Sequence, residues 1–172
     1  MEQFLKDQMG YTIVRRSGQG GGGCISQGEM FHTDQGKIFV KENSKEGARK
    51  MFEGEFASLE ALQNTKTIKV PKPIQVLDRP TGPGAILVME YLNMKRCSKQ
   101  AELGLLLAKL HSANLELKNN GGEVVKKFGF HTETCCGFLP QGNMLQNDWV
   151  EFYTEKEIHQ KIMGVKGFSF IS

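Results

Sequence analysis

The sequence has 172 residues, 39% hydrophobic and 24% charged, with a net charge of +3. That balance belongs to a globular chain of one domain or one large lobe and excludes a disordered segment. The small positive excess is not the concentrated basic patch of a nucleic-acid binder, and no apolar run is long enough to cross a bilayer.

The stretch after Met1 mixes acidic, basic and apolar residues without the apolar core of a secretion signal, so a cytoplasmic location is expected. Phe4, Leu5, Gln8 and Met9 predict a short amphipathic helix that Gly10 stops. Residues 11–16 read as a strand. The glycine-rich run over 18–23 reads as too flexible for helix or strand. Residues 24–27 and 29–33 read as a second strand, and 34–36 as a turn. A third strand covers 37–41, with Ile38 and Val40 on one face. Ser44 is a candidate N-cap for a helix over 48–62, where Phe52, Phe56, Leu59 and Leu62 recur at helical spacing. Residues 70–73 read as a proline-bounded linker. Two further strands, 74–77 and 85–90, are split by a Pro/Gly turn. Five antiparallel strands with one helix after the third predict an α+β layer.

After residue 92 the pattern turns helical. A helix over 100–115 carries the stripe Leu103, Leu106, Leu107 and Leu110. Residues 116–127 read as a mobile loop and 128–143 as irregular. Asp148 is placed to cap a last helix whose Trp149, Phe152 and Tyr153 read as core rather than as a sugar platform. The cysteines, Cys24, Cys97, Cys135 and Cys136, are expected as reduced thiols, and adjacent Cys135 and Cys136 lack the spacing of a zinc pair.

The chemistry-bearing signals lie in the first half. The glycines Gly20, Gly21, Gly22 and Gly23 sit between two strands, not between a strand and a helix. That placement argues against a Walker loop or a dinucleotide fingerprint and suits a glycine-rich hairpin laid over ATP phosphates. Lys41 ends the third strand, where an ATP-anchoring lysine would stand. The next helix offers Glu55, beside core-facing Phe56, as its partner, with Glu53 as the fallback. Met89, Glu90 and Tyr91 close the last strand, where a two-lobed kinase has its adenine-binding hinge. Cys24, at the end of the glycine run, is a redox candidate for an intermolecular disulfide linking two copies.

Several runs carry a closer likeness. Gly23–Ser26, Phe39-Val40-Lys41, Arg49–Glu55, Val70–Pro73, Val88-Met89-Glu90, Phe128–His131, Thr134–Gly137 and Asn147-Asp148-Trp149 resemble the fructosamine-3-kinase and ketosamine-3-kinase family of aminoglycoside-phosphotransferase-like kinases. The likeness covers Met1 to about Tyr153. It implies a protein-kinase-like N-lobe over 1–92, the start of a mostly helical C-lobe over 93–163, and an unrelated tail over 164–172. It also implies ATP and Mg²⁺ as cofactors, and a glycated protein or small ketosamine as substrate, phosphorylated on its 3-hydroxyl so that the adduct breaks down and frees the lysine. Neither nucleic acid nor a membrane is an expected partner.

The family's His-Gly-Asp catalytic loop, its following Asn and its metal-binding Asp are not found in these 172 residues. Phe128-Gly129-Phe130 has no preceding aspartate to hold Mg²⁺. The chain is therefore expected to lack catalytic residues and turnover. The alternative to an enzyme is a non-catalytic module that binds nucleotide or pairs with another chain.

Overall fold

The computed structural model describes residues 1–22, 26–94 and 99–154. Helix α1 (Glu2–Met9) opens the chain with Leu5 fully buried. Gly10 ends it at φ 71°, its N–H donating to the Lys6 carbonyl, the left-handed stop that glycine makes without steric cost. Strands β1 (Val14–Gly22), β2 (Gln27–Thr33) and β3 (Gly36–Asn43) follow. Helix α2 (Ala48–Asn64) and strands β4 (Pro73–Asp78) and β5 (Ala85–Glu90) come next. The strands form one antiparallel sheet in the order β1-β2-β3-β5-β4, the expected α+β layer.

Strand alternation sorts the residues into two cores. Ile38 and Val40 join Val14, Phe31, Ile86 and Val88 on the face covered by Leu5 of α1. Phe39 turns the other way and packs with Ala85, Leu87 and Met89 against Phe52 of α2. By the same parity Lys41, two residues after Phe39, stands on the α2 face. This single alternation decides which side of the sheet carries the candidate site.

Two local expectations are corrected. The glycine run is strand rather than structureless: Gly20, Gly21 and Gly22 pair with Glu29, Gly28 and Gln27. The irregularity is confined between Arg16 and Gly20, where Gly18 has φ 71°. Ladder hydrogen bonds use only backbone groups, so the edge of β2 holds glycine as it would any residue. Ser44 is not the N-cap of α2. Gly47 occupies that position at φ 79° without a side-chain bond, and the Asn43 side chain instead accepts the Lys45 N–H at 3.0 Å.

The turn before β5 contains a sharper constraint. Gly84 has φ 109°, and a Cβ there would overlap the Asn43 carbonyl oxygen and come within 2.7 Å of Ser44 Cα. Gly82 also has positive φ (69°), but its Cβ would meet only the Arg79 guanidinium, at 3.6 Å. Gly84→Ala is expected to lower stability by on the order of 1–3 kcal/mol through backbone strain, with the clash adding to it. Gly82→Ala should cost distinctly less, read as the smaller shift in urea midpoint.

The second part of the chain has its helix, but a less buried one than expected. Helix α3 (Gln100–Asn119) runs beyond its predicted end and buries no residue. Leu103 and Leu107 of the predicted stripe are exposed, so periodicity alone did not give this helix a packed face. The segment read as a mobile loop begins as the last turn of α3. Its later part is tied back by Asn114, whose side chain donates to the Val125 carbonyl and accepts its N–H, both at 2.8 Å.

Residues 128–143, read as irregular, contain the hairpin β6 (Thr134–Cys136) and β7 (Leu139–Gln141). Buried Asn143 knots it: its side-chain amide donates to Thr134 Oγ1 at 2.9 Å, and its carbonyl accepts the Phe130 N–H at 2.8 Å. Asp148 does cap helix α4 (Trp149–Glu151), its Oδ1 accepting the Glu151 N–H at 2.9 Å. Phe152 is buried, but Trp149 and Tyr153 are about half exposed and stack on each other at the surface, centroids 5.2 Å apart. The core reading therefore holds for one of the three aromatic residues. The tail expected over 164–172 lies outside the described residues.

Candidate functional site

The site is built on β3. Lys41 pairs in register with Gly28 on one side and Leu87 on the other, and Gly28 pairs in turn with Gly21. Residues directly opposite one another in a sheet share a face, so the row beside Lys41 runs through two glycines and carries no side chains there. Phe39 leans over the nearer one: a Cβ on Gly28 would run into its ring. Gly28 was not among the residues singled out from the sequence. Its signal, a glycine interrupting an otherwise continuous strand pattern, is the usual mark of close approach by another group.

The Lys41 Nζ lies 2.7 Å from both Oε1 and Oε2 of Glu55. About a third or less of each side chain is exposed (28% and 33%). The ammonium also stands 5.7 Å from the centroid of the buried Phe52 ring, near enough for a cation–π contribution. Glu53, the fallback partner, turns away and pairs with Arg49 at 2.9 Å, whose guanidinium also reaches Asp78 at 2.8 Å. Of the two glutamates, α2 thus presents Glu55 to the lysine.

A cleft of 360 Å³ opens at this pair, lined by Ser26, Lys41, Glu55, Ser58, Thr134 and Cys135, with Gly54 and Gly137 in its wall. Among the described residues, α2 and the hairpin supply most of this lining. The hairpin residues Thr134, Cys135 and Gly137 were quoted from the sequence without a role, and only the fold brings them to Lys41. Burial pushes the Cys135 thiol above its ordinary pKa, which disfavours the thiolate a nucleophile would need.

Met89 is buried on the α2 face and pairs with Phe39, one same-face step from the Lys41–Leu87 level, roughly 7 Å along the strand. Glu90 is held outside the cleft. Its carboxylate accepts from Lys69 Nζ at 2.7 Å and from the Lys72 N–H at 3.2 Å, and the Lys69 hydrogen bond keeps it below the usual carboxylate pKa. The Glu90 N–H donates to the Lys72 carbonyl at 2.8 Å and the Tyr91 N–H to the Lys37 carbonyl at 3.3 Å. Gly20, Gly21 and Gly22 form the strand edge beyond Gly28, while Gly23 and Cys24 lie outside the described residues.

The residues do not fit a Mg²⁺ ion, which takes oxygen ligands in a near-octahedral shell. Both oxygens of Glu55 face Lys41. No group of three or more His, Cys, Asp or Glu side chains converges among the described residues. No helix among them is long and apolar enough to cross a membrane.

Several known proteins are similar to this chain. Ketosamine-3-kinase from Mus musculus is 48% identical over 94% of this chain. A chloroplastic protein-ribulosamine 3-kinase from Arabidopsis thaliana is 40% identical over 86% of it. The chain spans 57% and 42% of the lengths of these two relatives. A crystal structure from Haemophilus somnus 129PT, of a protein provisionally described as a fructosamine-3-kinase, superposes with a TM-score of 0.74 over 96% of this chain and 53% of that one, at 22% identity. The fold is therefore shared at a level where the sequences have largely diverged. The family model for fructosamine kinase matches residues 1–167, and with nearly the whole sequence inside that match, the chain belongs to the fructosamine kinase family.

Proposed function

We propose that these residues form the nucleotide-binding lobe of an ATP-dependent ketosamine 3-kinase. The observation that carries the reading is the Lys41–Glu55 pair, 2.7 Å apart at the mouth of a cleft beside a row of glycines in the sheet. A lysine held through two N–H groups by a carboxylate aims its remaining N–H donor in a fixed direction, which suits an oxygen of the α- or β-phosphate of a nucleotide. Gly20, Gly21, Gly22 and Gly23 would let the β1–β2 hairpin backbone approach phosphate oxygens. Met89, Glu90 and Tyr91 would receive the adenine at the strand end. With the N–H groups of Glu90 and Tyr91 already donating to Lys72 and Lys37, the base would be held by other backbone groups of that segment and by apolar contact.

In the full reaction a ketosamine 3-hydroxyl oxygen attacks the γ-phosphorus and ADP leaves. The 3-phosphate then leaves as inorganic phosphate by β-elimination, and water hydrolyses the resulting imine at its C–N bond, which frees the lysine amine. The substrate class, glycated protein or small ketosamine, is inferred from the relatives named above. The free thiols of Cys135 and Cys136 are in keeping with a reducing, cytoplasmic setting.

Within these 172 residues no His-Gly-Asp stands ready to orient the sugar hydroxyl and take its proton. The chain alone should therefore bind ATP and not turn over. Two measurements test this: ATP-dependent thermal stabilisation, expected to be present, and phosphorylation of a ribulosamine, expected to be absent. Robust phosphorylation would overturn the division of labour, and absence of any nucleotide effect would overturn the binding site.

A further inference from the structure

We propose that the β6–β7 hairpin is a brace that sets the position of α2, and through it the Lys41–Glu55 pair, with Gly54, Lys50 and Glu133 as positioning residues. Gly54 is buried on α2 next to Glu55, and a Cβ there would stand 2.5 Å from the Glu133 carbonyl oxygen and 3.1 Å from Thr134 Cα. The two backbones are thus in direct contact, a proximity that only glycine permits. One helical turn earlier, Lys50 Nζ lies 2.7 Å from Glu133 Oε1. That oxygen is buried and has no well-directed hydrogen bond, so the ion pair is what compensates its loss of water.

The hairpin's grip on α2 is narrow. Cys135 lines both the Lys41 cleft and a second cavity of 220 Å³ at the start of α2. The hairpin meets α2 along the line from Lys50 to Gly54, through Glu133 and Thr134. On its far side the hairpin is fixed by buried Asn143, which is bonded to Thr132, Thr134 and Gln141. A rigid element that meets a helix at a few backbone atoms sets the depth and rotation of that helix. Glu55 is the residue after the contact, and a carboxylate bound through both oxygens is sensitive to sub-ångström displacement. The brace also explains why the hairpin residues, unreadable as functional in the sequence, form part of the cleft wall.

The role assigned to these residues rests on the nucleotide reading of Lys41, but the geometry can be tested without nucleotide. Carbodiimide converts a touching lysine–carboxylate pair into an amide, detectable as a cross-linked peptide by mass spectrometry. Lys41–Glu55 and the distant Lys69–Glu90 pair have the same 2.7 Å separation, so the second is an internal standard.

In Gly54→Ala the ratio of Lys41–Glu55 to Lys69–Glu90 product is expected to fall several-fold. Lys50→Glu should lower it as well, and the exchanged pair Lys50→Glu/Glu133→Lys should restore it, which a general loss of folding would not. An unchanged ratio in Gly54→Ala and Lys50→Glu overturns the brace. So does a fallen ratio with unaltered Lys41-dependent ATP binding, because the brace would then not serve the site. If the ratio falls and is restored by the exchange while the wild-type chain shows no Lys41-dependent ATP binding, the brace stands and the nucleotide reading of Lys41 fails.

Discussion

Lys41→Met is expected to remove half or more of the stabilisation that ATP confers on this chain. ATP at about a hundred times its Kd would add about 2.7 kcal/mol to the wild-type protein. Loss of the ammonium should weaken binding about tenfold or more, equivalent to ~1.4 kcal/mol, so the thermal shift at a fixed ATP concentration shrinks sharply. Methionine retains the length and apolar stem that pack beside Phe39 and Phe52, so the substitution isolates the charge.

The variant also leaves the Glu55 carboxylate without its partner. For a fully buried group that costs about 1–3 kcal/mol. Glu55 is one-third exposed, so water reaches it and the loss should fall toward the low end. Glu55→Gln should weaken ATP binding in the same direction, while Glu53→Gln, on the Arg49 side of the helix, should leave it unchanged. The double variant Lys41→Met/Glu55→Gln should recover stability relative to Lys41→Met without recovering ATP binding. Thermal melts with and without ATP across the four variants separate the two effects. Equal ATP responses in Lys41→Met and wild type would remove the nucleotide site.

Phe52→Ala carries the largest expected cost in stability. The ring is wholly buried between α2 and the sheet, among Ala48, Ala85, Leu87 and Met89. Truncating a buried phenylalanine in a core that collapses only partly costs about 3–5 kcal/mol, a large share of the 5–15 kcal/mol that holds a typical domain. The same ring lies beneath the Lys41 ammonium, so its loss also removes a cation–π contact of about 0.5–1 kcal/mol. Phe52→Leu keeps most of the apolar volume and should lose much less. Urea denaturation of the three proteins would show the midpoint moving strongly for alanine and modestly for leucine. A small shift for Phe52→Ala would mean that α2 is not packed on the sheet as described.

The sheet and its helix were legible because each rests on local periodicity. Alternation in β3, the continuous apolar run of β5 and the Phe52–Phe56 stripe are written into consecutive residues, and antiparallel pairing leaves few ways to assemble them. The choice between Glu53 and Glu55 was less determined. With 3.6 residues per turn, each lies roughly 80° from the midline between Phe52 and Phe56, on opposite sides. Which flank faces β3 depends on how α2 crosses the sheet. The structure turns Glu55 toward Lys41 and leaves Glu53 to Arg49.

The second half was harder to read for a different physical reason. Leu103 and Leu107 follow helical spacing, but a stripe records only a capacity for burial, and both remain exposed. Trp149 and Tyr153 looked like core by composition and instead stack on one another at the surface. The hairpin at 134–141 was hidden because three-residue strands give too short a pattern to detect.

By itself the sequence determined the elements of the lobe, the parity that puts Lys41 opposite Val40, and the family likeness of the glycine run, the strand lysine and the helix glutamate. These are local properties, set by neighbours along the chain. The tertiary structure alone decided that Gly21, Gly28 and Lys41 share one row, that Glu55 completes the ion pair, and that the hairpin at 134–141 rests on Gly54. Each is a contact between segments far apart in the chain. Its geometry comes from register and helix placement, which no single stretch of residues encodes.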